Sequence, residues 1–433
     1  MARKLLAGIV TASLALTLVA GCGGSKPADK APAGGAAPAP AAAPKVAEVK
    51  IGNILPLSGA AAPLGDLSKK ARELAVEEIN GTGGIKSLGG AQLKLIFADS
   101  QGKPQVGVSE AERLITQEKV AVLTGTYQSG VALPVSEVAE RYQIPFFSPV
   151  PSDDAITARG FKNLWRLADN SELRVIAQAQ FIDDLNKKQN AGLKTAYLVY
   201  ENTAWGQGVE KSWQKYLPEK GIQILGGEAY PQGAADFTPL ANKLKAANPD
   251  LIMLTSYVAD ASLLTNTFAE QKVSPKAFIG TSGGYSDPVY LKNTNLNAEY
   301  FYDVSSWEGD VNRPFSKEVQ KKFQDKFGTG MSNEAVKAYV AMYVLKDVLE
   351  RAASVDPAKI RDAFNSTKIA EGVTQMYAPT IQFDAKGQMT SQALVMAQFR
   401  KVNGQLQRVT VWPEKDARSA DIKPVLFPGW DKK

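Results

Sequence analysis

Histidine is absent from the 433 residues, and Cys22 is the single cysteine. Ser-His-Asp and Cys-His catalysis, the usual zinc ligand sets and a histidine pH switch are therefore excluded. An intrachain disulfide is excluded as well. Carboxylate-only chemistry, as in glycosidases, stays formally open, but no Asp/Glu pair stands out at the ends of predicted strands. Neither an enzyme activity nor a cofactor is expected. The chemistry that remains is that of holding a ligand. Ser129 follows a predicted strand and opens a predicted helix over 130–142. The N–H groups that begin a helix lack intrahelical acceptors and favour an anion, and a serine hydroxyl adds a donor. The plainer role for Ser129 is a helix N-cap, and the two roles are compatible. Trp205 and Tyr257 come just after predicted strands, and Tyr127 stands just ahead of Ser129. Aromatic rings with a few placed polar groups suit a small-molecule pocket, although core packing is the commoner fate of such rings.

The elements that would position these residues alternate. After Val46, short apolar runs at 49–55, 93–98, 120–124 and 145–147 are separated by helical patterns at 65–80, 105–118 and 130–142. The pattern restarts after 164–167, with strands near 195–200, 222–228, 251–255 and 277–280 and helices between them. Such alternation predicts βαβ units on parallel sheets, and two units in series. Ligands of such sheets lie beyond the carboxyl ends of the strands. The remainder reads as helices at 314–327, 333–353 and 357–364, then strands at 381–384, 393–400 and 406–412. A tail of this kind can cross back and complete both lobes.

At the other end, Arg3 and Lys4 precede an apolar run from 5 to 20, and Val19-Ala20-Gly21-Cys22 follows. This is the layout of an export signal, and the run is short for a membrane span, which needs about 20 apolar residues. The four residues resemble the bacterial lipobox, in which the cysteine is acylated and becomes the new N-terminus. Residues 1–21 are thus expected to be a lipoprotein signal peptide. Residues 22–45, rich in Ala, Pro and Gly, are expected to be a disordered tether, spanning on the order of 25 Å as a flexible coil. The formal net charge of +6 falls by two with the loss of Arg3 and Lys4. Lysine pairs such as Lys69-Lys70, Lys187-Lys188 and Lys321-Lys322 are scattered among acids, so no nucleic-acid partner is expected.

Several segments, in order, resemble the leucine/isoleucine/valine-binding protein family, the type I solute-binding proteins of ATP-driven importers. They are Ile51-Gly52 with Pro56-Leu57-Ser58-Gly59, Ala75-Val76-Glu77-Glu78-Ile79-Asn80 with Gly83-Gly84-Ile85, and Gly125-Thr126-Tyr127-Gln128-Ser129. Ile156-Thr157-Ala158-Arg159-Gly160, Trp205-Gly206-Gln207-Gly208 and Phe383-Asp384-Ala385-Lys386-Gly387-Gln388 continue the match. The resemblance implies an α/β fold of two Rossmann-like lobes joined by a three-strand hinge, with residues 46–168 plus 303–376 in one lobe and 169–302 plus 377–428 in the other. It places a ligand carboxylate at Ser129, next to Gln128, and further contacts at the backbone of Val150 and the hydroxyl of Ser152. Rings at Trp205 and Tyr257 would cover the ligand side chain, with Tyr127 facing them. Two positions depart from the family pattern. Ser282 stands where an acid holds the ligand ammonium, and Leu64 stands at a contact that is often aromatic. Asp287 lies nearby, but Asp287-Pro288 has the form of a helix N-cap followed by a first-turn proline.

The expectation is therefore an envelope lipoprotein, a monomer held to the membrane by its N-terminal lipid. It captures a branched-chain or related amino acid and hands it to the permease subunits of an ABC importer. A small carboxylate lacking an ammonium, aromatic or not, is the alternative ligand. A sensing module for a membrane receptor is the alternative role.

Overall fold

The computed structural model describes residues 46–391, 393–419 and 422–432. The expected signal peptide, the tether and Cys22 lie outside the described residues. Among the described residues no helix is long and apolar enough to cross a membrane.

The first sheet has five parallel strands in the order β2-β1-β3-β4-β5. They are β1 (Glu48–Leu55), β2 (Gln92–Asp99), β3 (Val122–Gly125), β4 (Phe146–Ser148) and β5 (Leu164–Arg166). The parallel strands β6 (Thr195–Glu201), β7 (Gln223–Tyr230), β8 (Leu251–Thr255), β9 (Ala277–Gly280) and β10 (Tyr302–Ser305) begin the second sheet. A ribbon of β11 (Lys368–Ile369) and β12 (Ile381–Gln382) stands apart from both sheets. The antiparallel strands β13 (Val395–Val402) and β14 (Gln405–Trp412) then complete the second sheet, whose order is β14-β13-β10-β9-β8-β6-β7. Strands such as β8, buried along their whole length, read as unbroken apolar runs because helices cover both faces of the sheet.

One face of the first sheet packs on helices Pro104–Thr116 and Ser129–Tyr142. The other packs on helix Ala62–Gly81 and on helix Asn333–Ala352, which returns from far along the chain. Glu78 of the former accepts the hydroxyls of Tyr343 (2.7 Å) and Tyr339 of the latter. The Glu350 carboxylate accepts the amides of Lys86 and Ser87 at 2.9 and 2.8 Å. These ties fix residues 316–365 on the first lobe.

The lobe boundaries differ from the sequence expectation at both later crossings. Tyr302–Ser305 forms β10 inside the second sheet, so the return to the first lobe begins beyond 305 and not at 303. The tail does not leave the first lobe at 377. Tyr377, Phe383 and Met389 are buried in the first lobe's core, and Phe383 meets Phe147 edge-on at 5.9 Å. Gln388 accepts Arg166 Nε at 2.6 Å and donates to the Ala168 carbonyl at 2.9 Å. The strand expected at 381–384 is present as the two-residue β12, but strands as short as β11 and β12 show no period that would tell to which lobe they belong.

Three segments thus cross between the lobes, and side chains stitch them together. Asp169 in the first crossing accepts the hydroxyl of Ser306 in the second. Arg313 donates to the carbonyls of Ser306 (2.7 Å) and Tyr377 (3.0 Å), and to that of Ala393, in the third crossing, at 2.7 Å.

Candidate functional site

Where the carboxyl ends of the two sheets face each other lies a cavity of about 20 Å³. From the first lobe it is lined by Tyr127, Ser129, Val150, Pro151, Ser152 and Glu334, and from the second by Arg174, Trp205, Tyr257 and Gly283. A space of this size holds about one water molecule. Six of the residues singled out in the sequence stand here: Tyr127, Ser129, Val150, Ser152, Trp205 and Tyr257. Leu64, Gln128 and Ser282 do not reach the cavity.

Ser129 is the first residue of its helix, and the N-cap is Gln128, in extended conformation. The cap reading of Ser129 is therefore displaced by one residue, and the Gln128 side chain makes no cap hydrogen bond. The amides of Val131 and Ala132 donate to the Gln128 carbonyl, leaving those of Ser129 and Gly130 at the helix head. Ser129 Oγ accepts from the Asp153 amide at 3.2 Å, which ties this turn to the loop that carries Val150 and Ser152. Gln128 Oε1 is buried without a hydrogen-bond partner. Leu64 is buried in the apolar cluster that also holds Tyr127, Val150, Trp205 and Tyr257.

The three rings form a wall across the cleft. Trp205 and Tyr257 have centroids 5.0 Å apart, and Tyr127 reaches Tyr257 from the opposite lobe at 6.0 Å. The Tyr127 hydroxyl and Trp205 Nε1 are buried without partners. Gly283 gives the indole its place. Its φ is +61°, and a Cβ there would stand 2.4 Å from the Trp205 ring. Behind the rings, Glu201 ends β6 and accepts the Tyr257 amide at 3.0 Å, while its other oxygen is buried without a partner. Burial pushes the Glu201 carboxyl up to about 8, against the opposing effect of that amide. A folded-state value raised above the unfolded one means stability that is full below about pH 4.5 and is lost as pH rises toward 8. Glu201→Gln is accordingly expected to flatten this loss, measured as melting temperature between pH 5 and 9. Parallel curves for the two proteins would refute it.

Sequence reasoning missed two charged residues of the cavity and the two behind them. Arg174 Nε donates to Asp169. Lys337 Nζ lies 3.3 Å from the other Asp169 oxygen. Glu334 Oε1 accepts Ser282 Oγ at 2.7 Å, and Oε2 accepts the Ser286 hydroxyl. Burial alone would raise the Asp169 carboxyl, but Arg174 and Lys337 hold it well below the usual carboxylate range. The Glu334 carboxyl is likewise lowered, burial being outweighed by Lys337 and the Ser286 hydroxyl. Burial lowers the Lys337 ammonium, with Asp169 opposing. Two cations and two anions thus form a neutral buried quartet. The available signal was periodicity. Arg174 shares a helical stripe with Val175, Gln178, Phe181 and Ile182, and Glu334 and Lys337 share one with Ala338 and Ala341. Charges on a core-facing stripe need partners.

Ser282 carries no acid, and its hydroxyl donates to the Glu334 carboxylate of the facing lobe. Asp287 is the N-cap of helix Pro288–Thr294 and accepts the Val289 amide at 2.6 Å. No cluster of three or more metal-binding side chains occurs among the described residues. The arrangement can hold an anion at the helix head and Arg174, a cation at Glu334, and an apolar group against the rings.

The periplasmic binding protein family model matches residues 48–404. A Leu/Ile/Val-binding protein homolog 7 of Brucella suis biovar 1 (strain 1330) is 33% identical over 390 residues, covering 87% of this chain and 94% of its own length. Among solved structures, a leucine binding protein from Thermotoga maritima is similar with a TM-score of 0.74 at 22% identity, covering 83% of this chain and 97% of that one. A solute binding protein of an ABC transporter from Rhodopseudomonas palustris BisB5, in complex with 3,4-dihydroxybenzoic acid, also reaches 0.74, at 19% identity, with 90% and 100% covered. At these identities the two structures speak for the fold, which is that of the type I periplasmic binding proteins.

Proposed function

The chain belongs to the periplasmic binding protein family, and on that premise we propose that it captures a branched-chain or related amino acid between its lobes for an ABC importer. One observation carries the choice of ligand: charges of both signs reach a single cavity. Arg174 and the head of helix Ser129–Tyr142 offer donors to a carboxylate, and Glu334 offers an acceptor to an ammonium. The buried quartet is neutral, so a zwitterion leaves it neutral, whereas a bare carboxylate adds an uncompensated buried charge. The rings of Tyr127, Trp205 and Tyr257 cover the aliphatic side chain. Ligand pockets are commonly about 300–1,000 Å³, so a cavity of about 20 Å³ requires the lobes to part before a solute enters. Capture is then a shift of population toward the closed form. Micromolar affinity corresponds to about −8 kcal/mol.

A second reading, a carboxylate without an ammonium, has its own support. Three donors, from Ser282, Ser286 and Asn333, already occupy Glu334, while the Tyr127 hydroxyl and Trp205 Nε1 want acceptors. An aromatic acid would supply them. The deciding experiment is a thermal-shift panel of leucine, isoleucine, valine, 4-methylpentanoate and benzoate. A ligand at 100 times its Kd adds about 2.7 kcal/mol of stability. Stabilisation by leucine supports the first reading and stabilisation by benzoate alone the second. A flat panel removes both.

The reading includes a monomer anchored by lipid at Cys22 and delivering its solute to permease subunits. Cys22→Ser is expected to leave an unacylated precursor, whereas the natural chain yields an acylated N-terminal cysteine by mass spectrometry. A mature chain that starts elsewhere without lipid overturns the anchor.

A further inference from the structure

Glu334 is carried by the first lobe, yet most of its hydrogen bonds are to the second. It stands in the first turn of helix Asn333–Ala352 and is 2% exposed. Ser282 Oγ and the Ser286 hydroxyl, one on each carboxylate oxygen, both come from the turn that follows β9. That turn is held firmly. The Ser282 amide donates to Asp303 Oδ1 at 2.6 Å, and Ser286 Oγ also lies 2.9 Å from the Gly283 carbonyl. Asn333 Nδ2 completes the set, 3.2 Å from Glu334 Oε1 and 2.9 Å from Ser282 Oγ, while its Oδ1 accepts the amide of Ser306 in the second crossing. A carboxylate offers about four lone-pair positions. Three are filled, and Glu334 lines the cavity.

We propose that Glu334 is a specificity-determining clasp: it seizes Ser282 and Ser286 as the lobes meet and keeps its last acceptor position for a cationic N–H of the ligand. In an open cleft the carboxylate is hydrated. Closing strips that water and returns two hydroxyl donors, leaving the anion one donor short of full solvation. A ligand ammonium supplies the missing donor, and a carboxylate without one does not. Selection therefore falls on the closing step, and the residence time of the ligand reports it. The ligand part of this inference rests on the amino-acid reading above. The clasp itself does not.

The test uses the full chain, with the isosteric Glu334→Gln and the conservative Ser286→Ala. Calorimetry compares leucine with 4-methylpentanoate, which is leucine's skeleton without the amine. Wild type is expected to prefer leucine about ten- to a hundredfold, the range for a hydrogen bond to a charged group. Glu334→Gln should erase that preference, lowering leucine affinity at least tenfold more than 4-methylpentanoate affinity, and Ser286→Ala should hasten leucine release. Equal weakening of both ligands by Glu334→Gln, the mark of a merely structural residue, overturns the proposal, as does an unchanged preference. If wild type binds neither ligand, the amino-acid reading fails and small-angle scattering without ligand decides the clasp. A larger radius of gyration in both variants supports it, and superimposable profiles overturn it.

Discussion

Gly283→Ala is expected to weaken ligand binding about a hundredfold. The methyl group would lie 2.4 Å from the Trp205 ring, well inside contact distance, so the indole must move. On one side the ring is packed against Tyr257, and the open direction leads into a cavity of about 20 Å³. Folding suffers less. The left-handed backbone at φ +61° costs an alanine about 1–2 kcal/mol. A double variant that also shortens the ring, Gly283→Ala with Trp205→Leu, should recover part of the loss, because the two changes share one volume. The measurement is Kd for whichever ligand of the thermal-shift panel binds wild type. Undiminished affinity in Gly283→Ala would mean that the indole does not face the ligand.

Asp169→Asn is expected to cost about 3–5 kcal/mol of stability, the range for removing one partner of a buried ion pair. The loss falls on two cations at once, since Arg174 and Lys337 are both buried and both lie against this carboxylate. Because the folded-state value of Asp169 is depressed below the ordinary 3.8, its contribution is present above that pH and fades as pH falls below it. The gap between wild type and variant in urea midpoint should therefore be wide at pH 7 and narrow below about pH 4. Adding Lys337→Met should return part of the stability by removing one orphaned charge. A variant as stable as wild type at pH 7 would show that the quartet is not held together by Asp169.

The sheets were legible because apolar runs alternating with amphipathic helices leave few other packings, and Ser129, Trp205 and Tyr257 were legible because they follow strands. Arg174 and Glu334 were not. Each lies on a core-facing helical stripe, which says that a charge there needs a partner but not which one, and each meets its partners only in three dimensions, Glu334 across a gap of some fifty positions to Ser282 and Ser286. Ser282 carries no acid, and the carboxylate that its hydroxyl meets, Glu334, belongs to the facing lobe, where no spacing rule looks. The later lobe boundaries failed for a related reason. Phe383 and Met389 are apolar in either lobe, and only their packing on Phe147 and its neighbours tells which.

The threefold crossing also bears on the order in which the molecule can be assembled. Helix Asn333–Ala352 covers a face of the first sheet, and β13 and β14 finish the second, so both lobes are sealed by segments synthesised last. Domains ordinarily fold as units while the chain emerges from the ribosome. Here neither unit is whole until almost the entire chain is out, and a chain truncated ahead of residue 333 would present a first sheet lacking part of its cover and a second lacking two of its strands. Proteolysis between the lobes should for the same reason release no stable half.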